Sequence, residues 1–147
     1  MKKIIFIFLA LVVTLFINGC SNKEIKSDEP PKASLTNTYW KLTTLNDQAI
    51  SFTKNTKREA HIVFADGKIK GHSGCNRMNG FYTLDAQNIS LTKNRMMLTR
   101  MFCQPSIETK FTQALKDMHH YQIKGEKLEL FNENNRIIAR FVSVYFY

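Results

Sequence analysis

The sequence predicts an α+β fold in which one amphipathic helix is covered by a curved antiparallel sheet. Three observations carry this prediction. Short runs of β-formers recur with turn residues between them. One segment sets Ile107, Phe111, Ala114, Leu115 and Met118 on a single apolar stripe at helical period. The order is many strands, one helix, then more strands, which suits a sheet folded over a helix better than alternating β-α units.

The elements follow in chain order. Tyr39 to Leu45 alternates as a strand, with Trp40, Leu42 and Thr44 on one face. Asn46-Asp47-Gln48 is a turn, followed by a short apolar piece at Ala49 to Phe52 and a polar loop from Thr53 to Arg58. Ala60, Ile62 and Phe64 then alternate with His61, Val63 and Ala65, and Asp66-Gly67 suits a two-residue hairpin into Lys68-Ile69-Lys70. Gly71 to Tyr82 holds three of the six glycines and reads as a shaped loop, because glycine serves positive φ or close backbone approach. Phe81 to Leu84 and Ile89 to Thr92 form a hairpin around Asp85 to Asn88, and Met96 to Met101 reads as an apolar strand interrupted by Thr99 and Arg100.

The helix is expected over 105–118. Pro105 suits its first turn and Glu108 its positive dipole end, while Lys110, Gln113 and Asp117 make the polar face. After His119-His120 come strands at Tyr121 to Ile123, Lys127 to Phe131 and Arg136 to Val144, with turns at Gly125-Glu126 and Asn132 to Asn135. The expected core is Ile107, Phe111 and Leu115 against Trp40, Ile62, Phe64 and Leu130. The aromatic C-terminus, Tyr145-Phe146-Tyr147, resembles the end of a membrane barrel. Such barrels need longer strands than these, so an ordinary final strand is expected.

The N-terminus sets the compartment. Lys2 and Lys3 precede an apolar run from Ile4 to Ile17 that is short for a spanning helix, and Ile17-Asn18-Gly19-Cys20 follows. Residues 1–19 are therefore expected to be a lipoprotein signal peptide, with Cys20 carrying the lipid (palmitate among its acyl chains). Ile17 and Asn18 depart from the commoner lipobox residues. By similarity to lipoproteins, Ser21 favours the outer membrane, with the chain facing the periplasm. Residues 20–35, rich in Lys, Glu, Ser, Asp and Pro, read as a disordered tether, and 36–147 as one domain.

Charge and cysteines narrow the function. The chain carries a net charge of +9, and removing Lys2 and Lys3 with the leader leaves +7. A basic excess suits anionic lipid headgroups, lipopolysaccharide or nucleic acid. The basic residues are dispersed along the chain with no block of like charge, which favours solubility alone as the explanation, and export disfavours nucleic acid further. Once Cys20 is lipidated, Cys75 and Cys103 remain. An even remainder in an oxidising compartment points to a disulfide between them.

The combination Trp40-Lys41-Leu42, Gly71-His72-Ser73-Gly74-Cys75-Asn76-Arg77 with Gly80 and Tyr82, Thr99-Arg100-Met101 before Cys103, Phe111 with Leu115, and Leu128-Glu129-Leu130 resembles the META/HslJ domain family over residues 36–144. The resemblance implies a strongly curved antiparallel β-sheet, a partial barrel, packed around one α-helix. It also implies a small exported or lipid-anchored protein of a family associated with heat shock, novobiocin resistance and secretion or virulence, and without an established enzymatic activity. The fold is similar to that of pilotins, lipoproteins that escort secretins to the outer membrane.

The chemical alternatives are few. Cys75 with His72 upstream would be a nucleophile–base pair, but Cys103 offers Cys75 a partner. His61, His72, His119 and His120 lack the spacing of a zinc motif, so no metal or other cofactor is expected. Asn76, Arg77 and Arg100 make a candidate binding rim. The competing expectation is that Asn76 satisfies loop backbone and the arginines stack or pair with carboxylates. The expectation is a non-enzymatic, monomeric envelope lipoprotein, either a stress-related binding or maintenance module or a pilotin-like escort of a secretion-system component. It would be held to the membrane by its lipid and would contact an envelope protein or lipid.

Overall fold

Period-two alternation sets each strand's buried face, and local turns join neighbouring strands into one sheet. The computed structural model describes residues 33–51, 59–103 and 107–146. Among them nine strands form one antiparallel sheet: β1 (Tyr39–Leu45), β2 (Gln48–Ala49), β3 (His61–Ala65), β4 (Lys68–His72), β5 (Arg77–Asp85), β6 (Asn88–Leu98), β7 (His120–Lys124), β8 (Lys127–Phe131) and β9 (Ile137–Val144). Helix α1 (Glu108–Asp117) connects β6 to β7. The strands pair in order from β3 to β9, and β1 pairs with both β3 and β9, so the sheet comes round on itself as a ring. Strand pairing is sparsest between β6 and β7, where Asn88 opposite His120 is the one register pair among the described residues.

Local chemistry explains the turns and the curvature. Asp66 and Gly67 both take positive φ, as a type I′ hairpin requires, and Ala65 pairs directly with Lys68. Register shifts interrupt β1–β9 between Leu42 and Thr44, β5–β6 between Gly80 and Tyr82, and β8–β9 between Leu130 and Phe131. Each such irregularity bends and twists a strand, which helps a sheet to curl. The first of them corrects the expected inward face of β1: Trp40 and Leu42 are buried, but Leu45 follows them into the core while Thr44 is half-buried.

The hollow of the ring is filled by Trp40, Leu42, Ile62, Phe64, Leu128, Leu130 and Phe141 from the sheet and by Phe111, Ala114 and Leu115 from the helix. Phe111 and Phe141 rings lie 6.0 Å apart. Among the described residues, this core runs from Ala33 to Phe141.

Four expectations are corrected. The helix is shorter than 105–118: Ile107 is its half-buried N-cap and Met118 its buried C-cap, while Pro105 lies outside the described residues. Ile89–Thr92 and Met96–Leu98 belong to one strand, β6, and Thr99 to Met101 leave the sheet. Most of the Gly71–Tyr82 stretch is strand, with Ser73 to Asn76 as the irregular turn between β4 and β5. Part of the span expected to be tether is packed: Ala33 and Leu35 are buried, Ala33 N–H donates to Gly125 O at 3.0 Å, and Trp40 Nε1–H donates to Leu35 O at 2.9 Å. The expected leader, Cys20 and the tether as far as residue 32 lie outside the described residues, as does the whole polar loop from Thr53 to Arg58.

Because Phe111 is fully buried at the centre of the ring, Phe111→Ala should cost about 3–5 kcal/mol in urea denaturation. Leu84→Ala, at an exposed site on β5, should stay within about 0.5 kcal/mol of the parent. Similar losses for the two would mean that the helix does not fill the sheet.

Candidate functional site

Two glycines let the chain make the turn that carries the specific sequence. Gly71 lies opposite Ile62, and a Cβ there would sit 2.1 Å from the His61 carbonyl oxygen, so a side chain would push β3 from β4. Gly74 has φ +91°, and its N–H donates to His72 Nδ1 at 3.1 Å. Between them Ser73 N–H donates to Asn76 O, and Asn76 N–H donates to Ser73 Oγ, both at 2.8 Å.

This turn is tied to the segment after β6 in two ways. Cys75 and Cys103 form the expected disulfide, with Cα atoms 5.8 Å apart. Closing a loop across their 28-residue separation stabilises the fold by about 3.5 kcal/mol in the chain-entropy model. Beside it, the buried Asn76 side chain accepts from Met101 N–H at 2.7 Å and Thr99 Oγ1–H at 2.8 Å, and donates to Met101 O at 3.0 Å. Asn76 therefore pairs with both backbone groups of Met101, as a neighbouring strand would. Thr99 N–H still donates to Arg77 O of β5 at 3.2 Å, and it is Met101 that pairs with the Asn76 side chain in place of a strand. Asn76 Nδ2–H also donates to Glu108 Oε1 at 3.2 Å, and Ser73 Oγ–H donates to Glu108 Oε2 at 2.5 Å. Glu108 stands in the first turn of α1, so one carboxylate both suits the helix dipole and joins the helix to the turn.

The outcome is a surface depression of about 580 Å³ whose lining includes Asn76, Arg100, Met101, Phe102, Glu108 and Thr112. With their backbone restrained, Met101 and Phe102 project outward, 57% and 89% exposed. Sequence reasoning missed these two as site residues, although they stand between Arg100 and Cys103 in a segment it had singled out.

The three candidate rim residues do not converge. Asn76 and Arg100 line this depression, whereas Arg77 lines a second, of about 280 Å³, with His61, Val63, Lys70 and His72. Asn76 does satisfy loop backbone. Arg77 and Arg100 are exposed, and neither makes an ion pair among the described residues, which departs from the expected pairing with carboxylates.

The histidines separate into two places. His61 and His72 face each other across β3 and β4, with ring centroids 6.3 Å apart. His61 also stacks on Tyr39 at 4.2 Å, and Phe146 meets Tyr39 edge-on at 5.1 Å. A row of rings thus runs from the C-terminus to His72. Burial, then the hydrogen bond to Glu59 and its charge, push the Tyr39 phenol above its ordinary range. Burial opposes ionisation of Glu59 itself. The hydrogen bonds from Lys41 and Tyr39 and the charges of Lys41 and His61 outweigh it and hold the carboxyl below its ordinary value. His119 and His120 lie elsewhere with rings nearly perpendicular, and His120 stacks on Phe131.

Comparison with known proteins fits this geometry. The sequence matches the family model described as the META domain over residues 33–145. No curated protein matches it significantly. Two solved structures resemble the fold. One, determined by NMR for a protein from Burkholderia xenovorans, has TM-score 0.60 and 21% identity and covers 76% of this chain and 85% of the other. The second, also an NMR structure, has TM-score 0.57 and 18% identity, covering 75% and 95%. At these identities the likeness is one of fold alone.

Asn76→Ala should strip Met101, Thr99 and Glu108 of buried partners at once. With the disulfide intact, it should lower stability by about 1–3 kcal/mol in urea denaturation. A change below about 0.5 kcal/mol would mean that water replaces the amide without penalty.

Proposed function

The chain belongs to the META domain family, and from that premise we propose that it is a non-enzymatic lipoprotein of the bacterial envelope that binds another envelope component, in a stress-related or maintenance role. The observation that carries this is the depression beside α1, where Met101 and Phe102 stand exposed on a segment fixed by the disulfide and by Asn76. Apolar side chains exposed on a restrained backbone are suited to binding, because little conformational freedom is lost when a partner covers them. The non-enzymatic reading is supported by the fate of the one nucleophile–base candidate. The Cys75 sulfur is bonded to Cys103, and His72 Nδ1 accepts the Gly74 amide hydrogen. The envelope location is supported by the basic, apolar and Gly-Cys order of the leader sequence.

Two measurements test this reading. Labelling cells with a palmitate analogue should mark the wild type and spare Cys20→Ala; equal labelling would remove the lipoprotein part. A photo-crosslinking residue at position 102 or 109, bordering the depression, should capture a discrete envelope partner, and one at Gln122 on β7 should not. Capture of a secretin subunit would make the protein an escort. Equal capture from position 122 would sink the depression as the binding site.

A further inference from the structure

Four of the 21 lysines and arginines, which look dispersed in sequence, are gathered on the outer side of three neighbouring strands. On β4, Lys68 and Lys70 flank the buried Ile69; on β5, Arg77 and Asn79 flank the buried Met78; on β6, Arg95 and Met97 flank Met96, which packs against the core. Alternation therefore turns all four cations outward. The register sets them side by side: Lys68 opposite Phe81, Lys70 opposite Asn79, and Asn79 opposite Met97. Phe81 is 50% exposed and Met97 60%, and Lys68 Nζ lies 5.9 Å from the centre of the Phe81 ring. Among the described residues none of these four cations has an ion-pair partner. The carboxylates nearest along the chain are Asp66, in the turn at one end of the face, Asp85, exposed at the far end of β5, and Glu59, which holds Lys41 at 2.7 Å.

We propose that this β4–β5–β6 face lies against an anionic lipid leaflet. Phe81 and Met97 enter the headgroup region, and Lys68, Lys70, Arg77 and Arg95 reach lipid phosphates. Two arguments choose this occupant. The first is charge complementarity: unpaired cations around exposed apolar side chains are the composition of an interfacial surface, whose basic residues are attracted by anionic headgroups and whose apolar ones are buried among them. The second is reach, and it rests on the lipoprotein reading. The 13 residues from Cys20 to Ala33 span up to about 45 Å when extended, more than the about 30 Å diameter of a small domain. Such a tether lets either side of the domain meet the membrane, so the composition of the surface decides which side does. None of these face residues lines the Met101–Phe102 depression.

The test removes the anchor, so its failure is distinct from failure of lipidation. The unlipidated chain from Ser21, which retains the whole core, is sedimented with vesicles of phosphatidylcholine alone or doped with phosphatidylglycerol. Binding should require the anionic lipid and fall with added salt. Lys70→Gln with Arg77→Gln should weaken it about fivefold for each charge removed. Lys124→Gln with Lys127→Gln, on the β7–β8 hairpin, should leave it unchanged. Phe81→Ser should lower the binding that persists at high salt. Unchanged melting temperatures show that the variants fold. Equal losses from the two lysine-containing pairs would overturn the proposal by showing net charge at work. So would equal binding to neutral vesicles, or displacement by inorganic phosphate at concentrations that leave ionic strength unchanged, which would reveal a small-anion pocket at Lys70 and Arg77 in place of a lipid face.

Discussion

A sheet that comes round on itself encloses a hollow, and the filling of that hollow by one helix is the constraint from which the rest of the structure follows. Phe111 and Leu115 occupy it from the helix, and Trp40, Phe64, Leu130 and Phe141 from the strands. Voids of that size would forfeit many dispersion contacts, so the ring tolerates little mismatch between helix and sheet. The register shifts, where β1, β6 and β9 carry extra residues against their partners, help the sheet to curl until β1 closes onto β9.

The helix must also enter the hollow at a fixed angle, and the turn at Ser73 to Asn76 helps to fix it. Glu108 receives hydrogen bonds from Ser73 and Asn76, while Asn76 holds the backbone of Met101 and Cys75 holds Cys103. Three segments distant in sequence are therefore tied together. Asn76 is spent on this framework. The side chains left for recognition are the outward ones beside it, Arg100, Met101 and Phe102, whose exposure follows from the same bonds that hold their backbone.

On the outer face of β4 to β6, alternation does for charge what it does for the core. It buries Ile69 and Met78 and thereby lines up Lys68, Lys70 and Arg77 outside. Glu59 neutralises Lys41 at the edge of this surface, while Arg140 is engaged by Asp47 and Glu129 elsewhere. The basic excess of the chain is thus unevenly distributed in space: some cations are matched by carboxylates, and the strand-borne cluster of β4 to β6 is left to solvent or to an anionic surface.

Pattern and parity in the sequence were enough to determine the fold class, the β1 and β8 boundaries, the Asp66-Gly67 hairpin, the helix stripe at Phe111 and Leu115, and the Cys75–Cys103 pair. Each depends on local periodicity, on turn chemistry or on a count of thiols, all of which act within a few residues or need no geometry. The limits of the helix, the fusion of two predicted strands into β6, the inward turn of Leu45 and the packing of Ala33 and Leu35 depend on partners far along the chain. So does the site. That Asn76 would be buried and bonded while Arg77 and Arg100 faced different depressions was decided when the turn met Met101 and Glu108. The gathering of Lys68, Lys70, Arg77 and Arg95 was decided by strand register. Hydrogen bonds and ion pairs between residues remote in sequence leave no periodic trace, and only the folded ring brings their atoms within reach.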